Sequence, residues 1–448
     1  MKNSNKVFFV ITLSAAIFAA TSFFTPEGIS AQDRQTQRRA VVAAVTPTSQ
    51  PDRIILSWAD DTATTQSVTW RTSTEITESF AELVEAIDAP TFPKDKQSFA
   101  TKCETCDMQY HSHSVTFTGL KPDTMYHYRV GQGTNWSEWS NFTTGSQSHE
   151  PFTFLYFGDA QNGLDTVYPR LVRKAFQSEP EAKFAIFCGD LVDIGSNERS
   201  WDHWFNALGF LASNYPIMPV PGNHEHDSYK DGNGTEKQVL TNLWCLLFTL
   251  PENGPDTMKE SCYTFAYNNV RMIGLDSTKG AYEFRGEGEI ATWLEDVLKN
   301  NSCQWTIVYF HHPIYSSAKG RNHVEWRQAI KPILDQYQVD LVLQGHDHVY
   351  MRTGLHTPKV DVVDLINDHD LDPDSRTVYV TSVAGEKMYE LEEKPFFVKV
   401  LPDTQLFQTV RIDGDTLTLT AKTATGQVID SFVLEKGKTE LKEFHTTH

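Results

Sequence analysis

The chain has little positive charge for its length. Its 448 residues include 39 Lys and Arg against 58 Asp and Glu, which gives a formal net charge of −19. Such a surface repels the phosphate backbone, so no nucleic-acid polymer is expected as a partner. A small phosphorylated molecule stays compatible with the composition, because bound metal ions reverse the sign of the charge locally.

Long hydrophobic runs are equally scarce, and the only one able to span a bilayer stands at the N-terminus. Lys2 and Lys6 precede an uncharged, mostly apolar stretch, Val7–Phe24, which small residues follow. This order is typical of a signal peptide, which we assign to residues 1–31, although an uncleaved anchor fits the same run. We therefore expect a secreted, periplasmic or cell-surface protein.

Cysteine is also sparse, with six residues and so at most three disulfides in an exported protein. Cys103 and Cys106 form a C-x-x-C with no second pair, which favours a local disulfide in a loop over a zinc site. Cys245 and Cys262 flank a loop and could close it. Cys188 lies in an apolar strand, which predicts a buried thiol. The sequence alone leaves the pairings open.

Two patterns divide the rest of the chain. Residues 32–50 are polar and read as a linker. Residues 51–146 contain short alternating strands, which predict an all-β sandwich. Residues 150–436 alternate apolar strands with helices, which predicts an α/β domain with a largely buried mixed sheet and helices outside. Residues 437–448 form a polar tail.

Finer elements follow from the same patterns. The predicted helices lie near 167–176, 199–212, 287–298 and 325–337. In the sandwich, His111, His113 and His127 are expected at the surface.

Polar motifs stand where five of the apolar strands stop. They are Gly158-Asp159, Gly189-Asp190, Gly222-Asn223-His224, Val308-Tyr309-Phe310-His311 and Gly345-His346-Asp347-His348. Ligands of open α/β sheets bind outside the carboxyl ends of strands, so the five motifs are expected to converge. Carboxylate oxygen together with imidazole nitrogen suits Zn, Mn or Fe, and the motifs therefore predict a metal site.

The order and residue types of these motifs resemble the calcineurin-like metallophosphoesterase superfamily, and most closely the purple acid phosphatases with their bacterial relatives. The run Leu120–Val130 is similar to a fibronectin type III repeat, and purple acid phosphatases carry a similar N-terminal domain. The resemblance implies that the α/β domain has two stacked mixed sheets flanked by helices. It also implies a centre of two metal ions (Fe, Zn or Mn) bridged by Asp190. The other implied ligands are Asp159 and His348 for the first ion, and Asn223, His311 and His346 for the second.

The resemblance also implies a reaction, the hydrolysis of phosphomonoesters by a metal-bound hydroxide. His224 is the first candidate for the general acid and His323 the second. Asn223, His224, His323 and Arg321 are the expected substrate contacts. Two alternatives stay open: a phosphodiesterase or nucleotide hydrolase on the same metal core, and an inactive adhesion or binding protein.

Two positions depart from the family pattern. Asp193 stands where purple acid phosphatases have the iron-binding Tyr of Gly-Asp-x-x-Tyr, so their colour is not expected here and Asp193 should orient its loop. Gln161 replaces the His of the superfamily's Asp-x-His, as a weak oxygen ligand or as a hydrogen-bond donor behind the ligands. His312 and Asp276 are expected to give hydrogen-bond support, and His226 to be exposed or to lie behind the ligands.

Overall fold

The computed structural model describes residues 46–92, 96–106, 110–282, 287–360, 370–438 and 441–443. The predicted signal peptide and the linker up to residue 45 lie outside these ranges. Residues 47–448 cluster into one compact unit. Within the described ranges, no helix combines the length and the apolar character needed to cross a membrane.

The N-terminal region is a β-sandwich of two antiparallel sheets, which confirms the predicted class. The first sheet has the order β1 (Asp52–Ser57), β2 (Gln66–Ser73), β6 (Tyr110–Phe117) and β5 (Lys102–Cys106). The second has the order β4 (Gln97–Ala100), β3 (Phe80–Glu85), β7 (Met125–Gln132) and β8 (Asn135–Trp136), with β9 (Ser140–Thr143) also paired with β7. Alternate side chains of both sheets, including Val68, Trp70 and Tyr128, form one buried core.

The prediction that His111 and His113 lie at the surface is wrong. Both are buried. They lie on the same face of β6 as Val115 and Phe117, and that face is turned towards the sandwich core. His127, on β7, is half-buried.

The α/β domain contains two seven-stranded mixed sheets, and its class is also confirmed. The first sheet has the order β12 (Ile217–Val220), β11 (Ala185–Cys188), β10 (Phe152–Phe157), β22 (Leu406–Asp413), β23 (Thr416–Thr423), β24 (Val428–Glu435) and β25 (Lys442–Glu443). The second has the order β15 (Tyr263–Tyr267), β16 (Val270–Leu275), β17 (Trp305–Phe310), β18 (Leu341–Gln344), β20 (Val378–Thr381), β19 (Tyr350–Thr353) and β21 (Phe397–Leu401). A separate hairpin pairs β13 (His226–Lys230) with β14 (Glu236–Leu240). The sheets stack through one core that takes Phe154 from the first and Tyr309 from the second.

Helices accompany the sheets. They are α1 (Tyr168–Ser178), α2 (Glu198–Leu208), α3 (Asn242–Leu247), α4 (Ser277–Tyr282), α5 (Glu287–Lys299) and α6 (Val324–Gln336). The helix predicted near 199–212 ends early, at Leu208, because Gly209 has a φ of +58° and the next turn is a 3-10 helix. The segment predicted as a polar tail contains β25, which pairs with β24.

The sandwich is held firmly against the α/β domain. Trp58 is fully buried, with its ring 5.4 Å from that of Phe184. Arg53 and Arg71 are buried and both form ion pairs with Asp202 of α2, at 2.6 and 3.3 Å. Arginine forks suit such buried pairs, so the two domains share one apolar core and one charged cluster.

The disulfide favoured for Cys103 and Cys106 is wrong, and the possible pairing of Cys245 with Cys262 is not formed. Cys103 is a free thiol and lies on β5 rather than in a loop. Because a strand rises about 3.3 Å per residue, a C-x-x-C on it spans about 10 Å between Cα atoms, too far for a disulfide. Cys245 and Cys262 are free too, since Cys262 is buried beside Met258 while Cys245 lies at the surface. Cys188 is the buried strand thiol that was predicted.

Candidate metal centre

The five strand-end motifs meet in one cluster. β10, β11 and β12 of the first sheet and β17 and β18 of the second end there, so each delivers its motif to the same place. Asp190 Oδ2 lies 3.2 Å from His311 Nε2, and Asp159 Oδ2 lies 3.1 Å from His348 Nε2. His311 Nε2 is also 3.1 Å from Asn223 Oδ1.

The cluster divides into two overlapping groups of side chains. In one, ligand atoms of Asp159, Asp190 and His348 lie within 4.8 Å of one another; in the other, those of Asp190, His311 and His346 do. Asp190 belongs to both groups, which is the position of a bridging carboxylate. The structure thus brings together all the residues that the sequence proposed as ligands.

The imidazole rings are oriented by backbone carbonyls. His311 Nδ1 donates to Cys188 O at 2.8 Å, and His348 Nδ1 donates to Lys387 O at 2.7 Å. Both bonds hold Nδ1 against a backbone carbonyl, so Nε2 of each ring points into the cluster. Metal-binding histidines are held in this way.

Glycines let the ligands approach closely. A Cβ on Gly222 would lie 2.2 Å from Asp190 Oδ1, and one on Gly345 would lie 2.3 Å from Asp159 Oδ1. Any larger residue at either position would push a carboxylate out of the cluster. Steric crowding therefore explains why glycine stands at both of these positions.

Three ligand residues take strained backbone conformations. The φ angles are +49° for Asp190, +71° for His346 and +45° for His348, in the left-handed region that residues other than glycine avoid. Each costs of order 1 kcal/mol and persists only where surrounding contacts enforce it. Such strain is concentrated at functional sites.

The charges of the cluster fit a cation. Burial by itself raises the pKa of Asp190, but His311 and the His224 backbone amide hold it below its ordinary value. Burial likewise lowers the pKa of His311, but Asp190 and Asp159 raise it to about 10. The buried Asp190 carboxylate therefore stays ionised and requires positive charge beside it.

The contact between Asp159 and His348 also indicates that the cluster fits a cation. Asp159 Oδ2 is buried and accepts no hydrogen bond from any described residue. It lies 3.1 Å from His348 Nε2, and because His348 carries its proton on Nδ1, two lone pairs face each other. A cation between them removes that conflict, so the residues fit a metal pair drawn from Zn, Mn or Fe.

Glu225 supports this centre, and the sequence analysis missed it. Its buried carboxylate accepts backbone N–H groups from Asp190 at 2.8 Å, Gly222 at 2.7 Å and Val192 at 3.2 Å. Burial, helped by the charge of Asp190, raises the pKa of Glu225 to about 7. Glu225 ties the β11 and β12 loops together, and only its position two residues after Asn223 hinted at this.

Asp347 is a second missed residue, although it stands between two proposed ligands. It is buried and lies 2.9 Å from Arg321 Nη1 and 3.4 Å from His323 Nε2. Arg321 also stacks on Tyr389, with its guanidinium carbon 4.6 Å from the ring centre. Tyr389 lies in the loop between β20 and β21.

The residues expected to support the ligands do so through hydrogen bonds. The backbone carbonyl of Asp193 accepts from His224 Nδ1 at 2.6 Å, while the Asp193 side chain is half exposed and accepts from Asn162. Gln161 Nε2 lies 3.0 Å from His348 Nε2, and a half turn of its amide would put oxygen there instead.

The neighbouring histidines behave similarly. His226 is buried and lies 3.2 Å from Asp276 Oδ2, and His312 Nδ1 lies 3.0 Å from Ser277 Oγ. Asp276 is the structural acceptor that was predicted.

An open pocket of about 550 Å³ lies over the cluster. Its lining is polar and comprises Gln161, Asp190, Asn223, His224, Arg321, Asn322, His323, His346, His348, Lys387 and Tyr389. All four expected substrate contacts are among these residues. Arg321 and Lys387 give the wall positive charge, which suits a phosphate group.

Two stacked mixed sheets with Asp, Asn and His at converging strand ends define a metallophosphoesterase architecture. Residues 152–350 match the family Calcineurin-like phosphoesterase, and residues 51–144 match the family Purple acid phosphatase, N-terminal domain. The chain therefore combines a calcineurin-like phosphoesterase domain with a purple acid phosphatase N-terminal domain, as the resemblance in its motifs implied.

Individual relatives are distant. An uncharacterized protein of Mycobacterium tuberculosis is 28% identical over 277 residues, which cover 54% of this chain and 50% of the relative. Purple acid phosphatase 23 of Arabidopsis thaliana is 26% identical over 316 residues, which cover 62% of this chain and 63% of the relative. The chain thus spans about half to just under two thirds of these curated relatives.

A solved structure shows the same fold. Purple acid phosphatase PPD1 from yellow lupin (Lupinus luteus) seeds aligns with a TM-score of 0.67 over 86% of this chain and 74% of its own, at 19% identity. The alignment spans both the sandwich and the α/β domain, since 86% exceeds what either domain supplies alone.

Proposed function

We propose that this chain is an exported, dinuclear-metal phosphoesterase that hydrolyses phosphomonoesters. The observation that carries the proposal is the sharing of Asp190 by two ligand groups beneath a cationic pocket. The names of the purple acid phosphatases that it resembles support the monoester class. The apolar N-terminal run supports export.

Asp159 and His348 would hold one cation, Asn223, His311 and His346 would hold the other, and Asp190 would be shared by both. When bound, the two cations would polarise the phosphoryl group and activate a water molecule for attack on phosphorus. Asn223 contributes a neutral oxygen, which keeps negative charge on its side of the centre low.

We infer that His224 serves the leaving group. Its Nδ1–H is fixed by the Asp193 carbonyl at 2.6 Å, and its side chain lines the pocket. The remaining nitrogen, Nε2, lies 3.9 Å from Asp190 Oδ2, close to the centre. In the imidazolium form, Nε2–H can donate a proton to the departing alcohol oxygen.

Arg321 and His323 form the other side of the proposed phosphate site. Asp347 holds both, and Tyr389 packs against the guanidinium. About a third of the Arg321 side chain remains exposed, which leaves N–H groups free for phosphoryl oxygens. Lys387 adds a further cation at the rim of the pocket.

The test is a comparison of initial rates on matched aryl phosphate monoesters and diesters. The protein without residues 1–31 would be loaded in turn with Zn, Mn and Fe, with Asp190→Asn as the blank. Monoester turnover above the blank is expected. A diester preference would instead favour the phosphodiesterase alternative, and no turnover at verified metal occupancy would favour the binding-protein alternative.

A further inference from the structure

A second cluster of metal-binding residue types lies in the sandwich, far along the chain from the strand-end motifs. Cys103 on β5 is directly opposite His113 on β6 in the antiparallel register. His111 is two residues from His113, so the period of the strand places both rings on the same face. All three side chains therefore share the face that carries Phe117 into the sandwich core.

Their ligand atoms converge. One atom from each of Cys103, His111 and His113 lies within 4.8 Å of the others. A tetrahedral zinc site needs ligand atoms about 3.5 Å apart, as follows from bond lengths of about 2.0–2.3 Å. Cys103 is exposed on its strand, so a rotation of its side chain can supply the remaining approach.

The two rings are already oriented as metal-bound histidines are. His111 Nδ1 donates to the carbonyl of Ile76 at 2.8 Å. The hydroxyl of Thr72 donates to Ser73 O, and so it accepts a hydrogen bond from His113 Nε2 at 2.7 Å. These bonds place one proton on each ring and leave His111 Nε2 and His113 Nδ1 as free lone pairs.

One of these lone pairs is buried and unused. His113 has no exposed surface, and its Nδ1 has no hydrogen-bond partner among the described residues. Buried polar atoms nearly always have a partner, and the exceptions call for an explanation such as a bound ion. Ligand atoms of Cys103 and His111 lie within 4.8 Å of the His113 ring's own ligand atom, which makes a cation a matching partner.

We propose that Cys103, His111 and His113 bind a zinc ion in the N-terminal sandwich, separate from the phosphoesterase centre. A thiolate and two imidazoles suit this borderline-soft cation, and a water molecule would complete the tetrahedron. Binding releases the thiol proton of Cys103 to solvent, since the thiolate is the ligand. The ion would tie β5, at the edge of its sheet, to β6 beside it.

Cobalt(II) is the probe, because it replaces zinc and reports on its ligands. The proposed phosphoesterase centre contains no cysteine, so a thiolate-to-cobalt charge-transfer band in the near ultraviolet is specific to the sandwich site. The full chain, kept reduced, is expected to show this band and to bind a third equivalent of metal. Cys103→Ser should lose the band and the third equivalent, while the matched thiol control Cys303→Ser should keep both.

Stability gives an independent reading. Zinc should raise the Tm of the wild-type protein more than that of Cys103→Ser, because a ligand that binds only the folded state stabilises it. Cys103 is exposed, so its replacement by Ser leaves the fold intact, which circular dichroism would verify. A cobalt-loaded protein without the charge-transfer band, or a band that survives in Cys103→Ser, would overturn the proposal.

Discussion

Histidines cluster in two places in this protein. One cluster lies in loops that follow strands, and the other lies within strands. In the α/β domain the proposed ligands lie in the loops that follow β10, β11, β12, β17 and β18, up to 189 positions apart (Asp159 and His348). In the sandwich they lie within two paired strands, between Cys103 and His113. The first cluster uses backbone angles of positive φ, whereas Cys103, His111 and His113 have none.

The difference shows what each geometry can build. A loop frees its side chains from the alternation of the strand, so five elements can converge and one carboxylate can serve two ions. A strand face offers only neighbours two positions along and directly across, which suffices for a single ion. The strained backbone of three ligands therefore accompanies the convergence of five loops, whereas side chains on a regular strand need no such strain.

Electrostatics separates the two clusters as clearly. Burial lowers the pKa of His113 to about 4, with His111 adding to the effect, and no carboxylate opposes it. Burial acts in the same direction on His311, but Asp190 and Asp159 reverse it and raise the pKa to about 10. The His113 ring is therefore neutral near pH 7, whereas His311 lies in a field that favours positive charge.

The largest effect is expected from Asp190→Asn, which removes the charge shared by both ligand groups. Turnover should fall about a thousandfold or more, because losing several kcal/mol of transition-state stabilisation lowers the rate tenfold for each ~1.4 kcal/mol. Metal content measured on the same samples should drop at this centre. Full activity in the variant would rule out the two-metal assignment.

The same variant sharpens the comparison between the clusters. Asp190→Asn should keep the cobalt–thiolate band of the sandwich while it loses phosphatase activity, and Cys103→Ser should do the reverse. Loss of both signals in either variant would mean that the two regions do not bind metal independently.

The fold was largely predictable, because its signals are local. Period-two alternation identified the sandwich, and apolar strands alternating with helices identified the α/β domain. Burial of the sandwich histidines was not predicted, since a single sequence shows that His111 and His113 share a face but not which face is inside. The disulfide at Cys103 was predicted wrongly because its segment was taken for a loop.

The site was predictable where a motif marks a strand end. Asp159, Asp190 and His311 each follow an apolar run, so convergence could be inferred before any coordinates. Glu225 and Asp347 could not be found that way, because their roles are to bind backbone amides and side chains that come together only in three dimensions. Their importance depends on tertiary contacts that no spacing records.

His224→Ala should produce the next largest effect. We expect turnover to fall about a hundredfold, in the range typical of a lost general acid, because Nε2–H would no longer protonate the leaving oxygen. Metal content should stay unchanged, unlike in Asp190→Asn. A matched control is His203→Ala on α2, a histidine outside the pocket lining. Loss of metal from His224→Ala would show that this residue is a ligand instead.

Asp347→Asn tests the hold on the phosphate site. Without the carboxylate, Arg321 and His323 lose their shared partner, so KM for the monoester should rise about tenfold, as for other residues that orient ligands. Metal occupancy and the cobalt–thiolate band should be unaffected. The same kinetics should be measured for Arg321→Lys, which keeps the positive charge but loses the forked guanidinium. Unchanged kcat and KM in Asp347→Asn would remove Asp347 from the proposed site.

The last effect is on stability rather than on turnover, and it concerns the seam between the two regions, where Glu260 lines a groove with Lys102 of β5. Burial raises the pKa of Glu260 from 4.5 to about 7. The folded protein therefore binds more protons than the unfolded chain between these values, and stability falls as pH rises from about 4.5 to about 7. Glu260→Gln, which keeps the oxygen that accepts from Leu250 N, should flatten that decline. Denaturant unfolding at pH 5 and pH 8 gives the free energy of unfolding at each pH. The difference between the two values should be smaller in the variant than in the wild type, by at most about 3 kcal/mol. An equal pH dependence in both proteins would show that Glu260 titrates normally and that the seam is open to water.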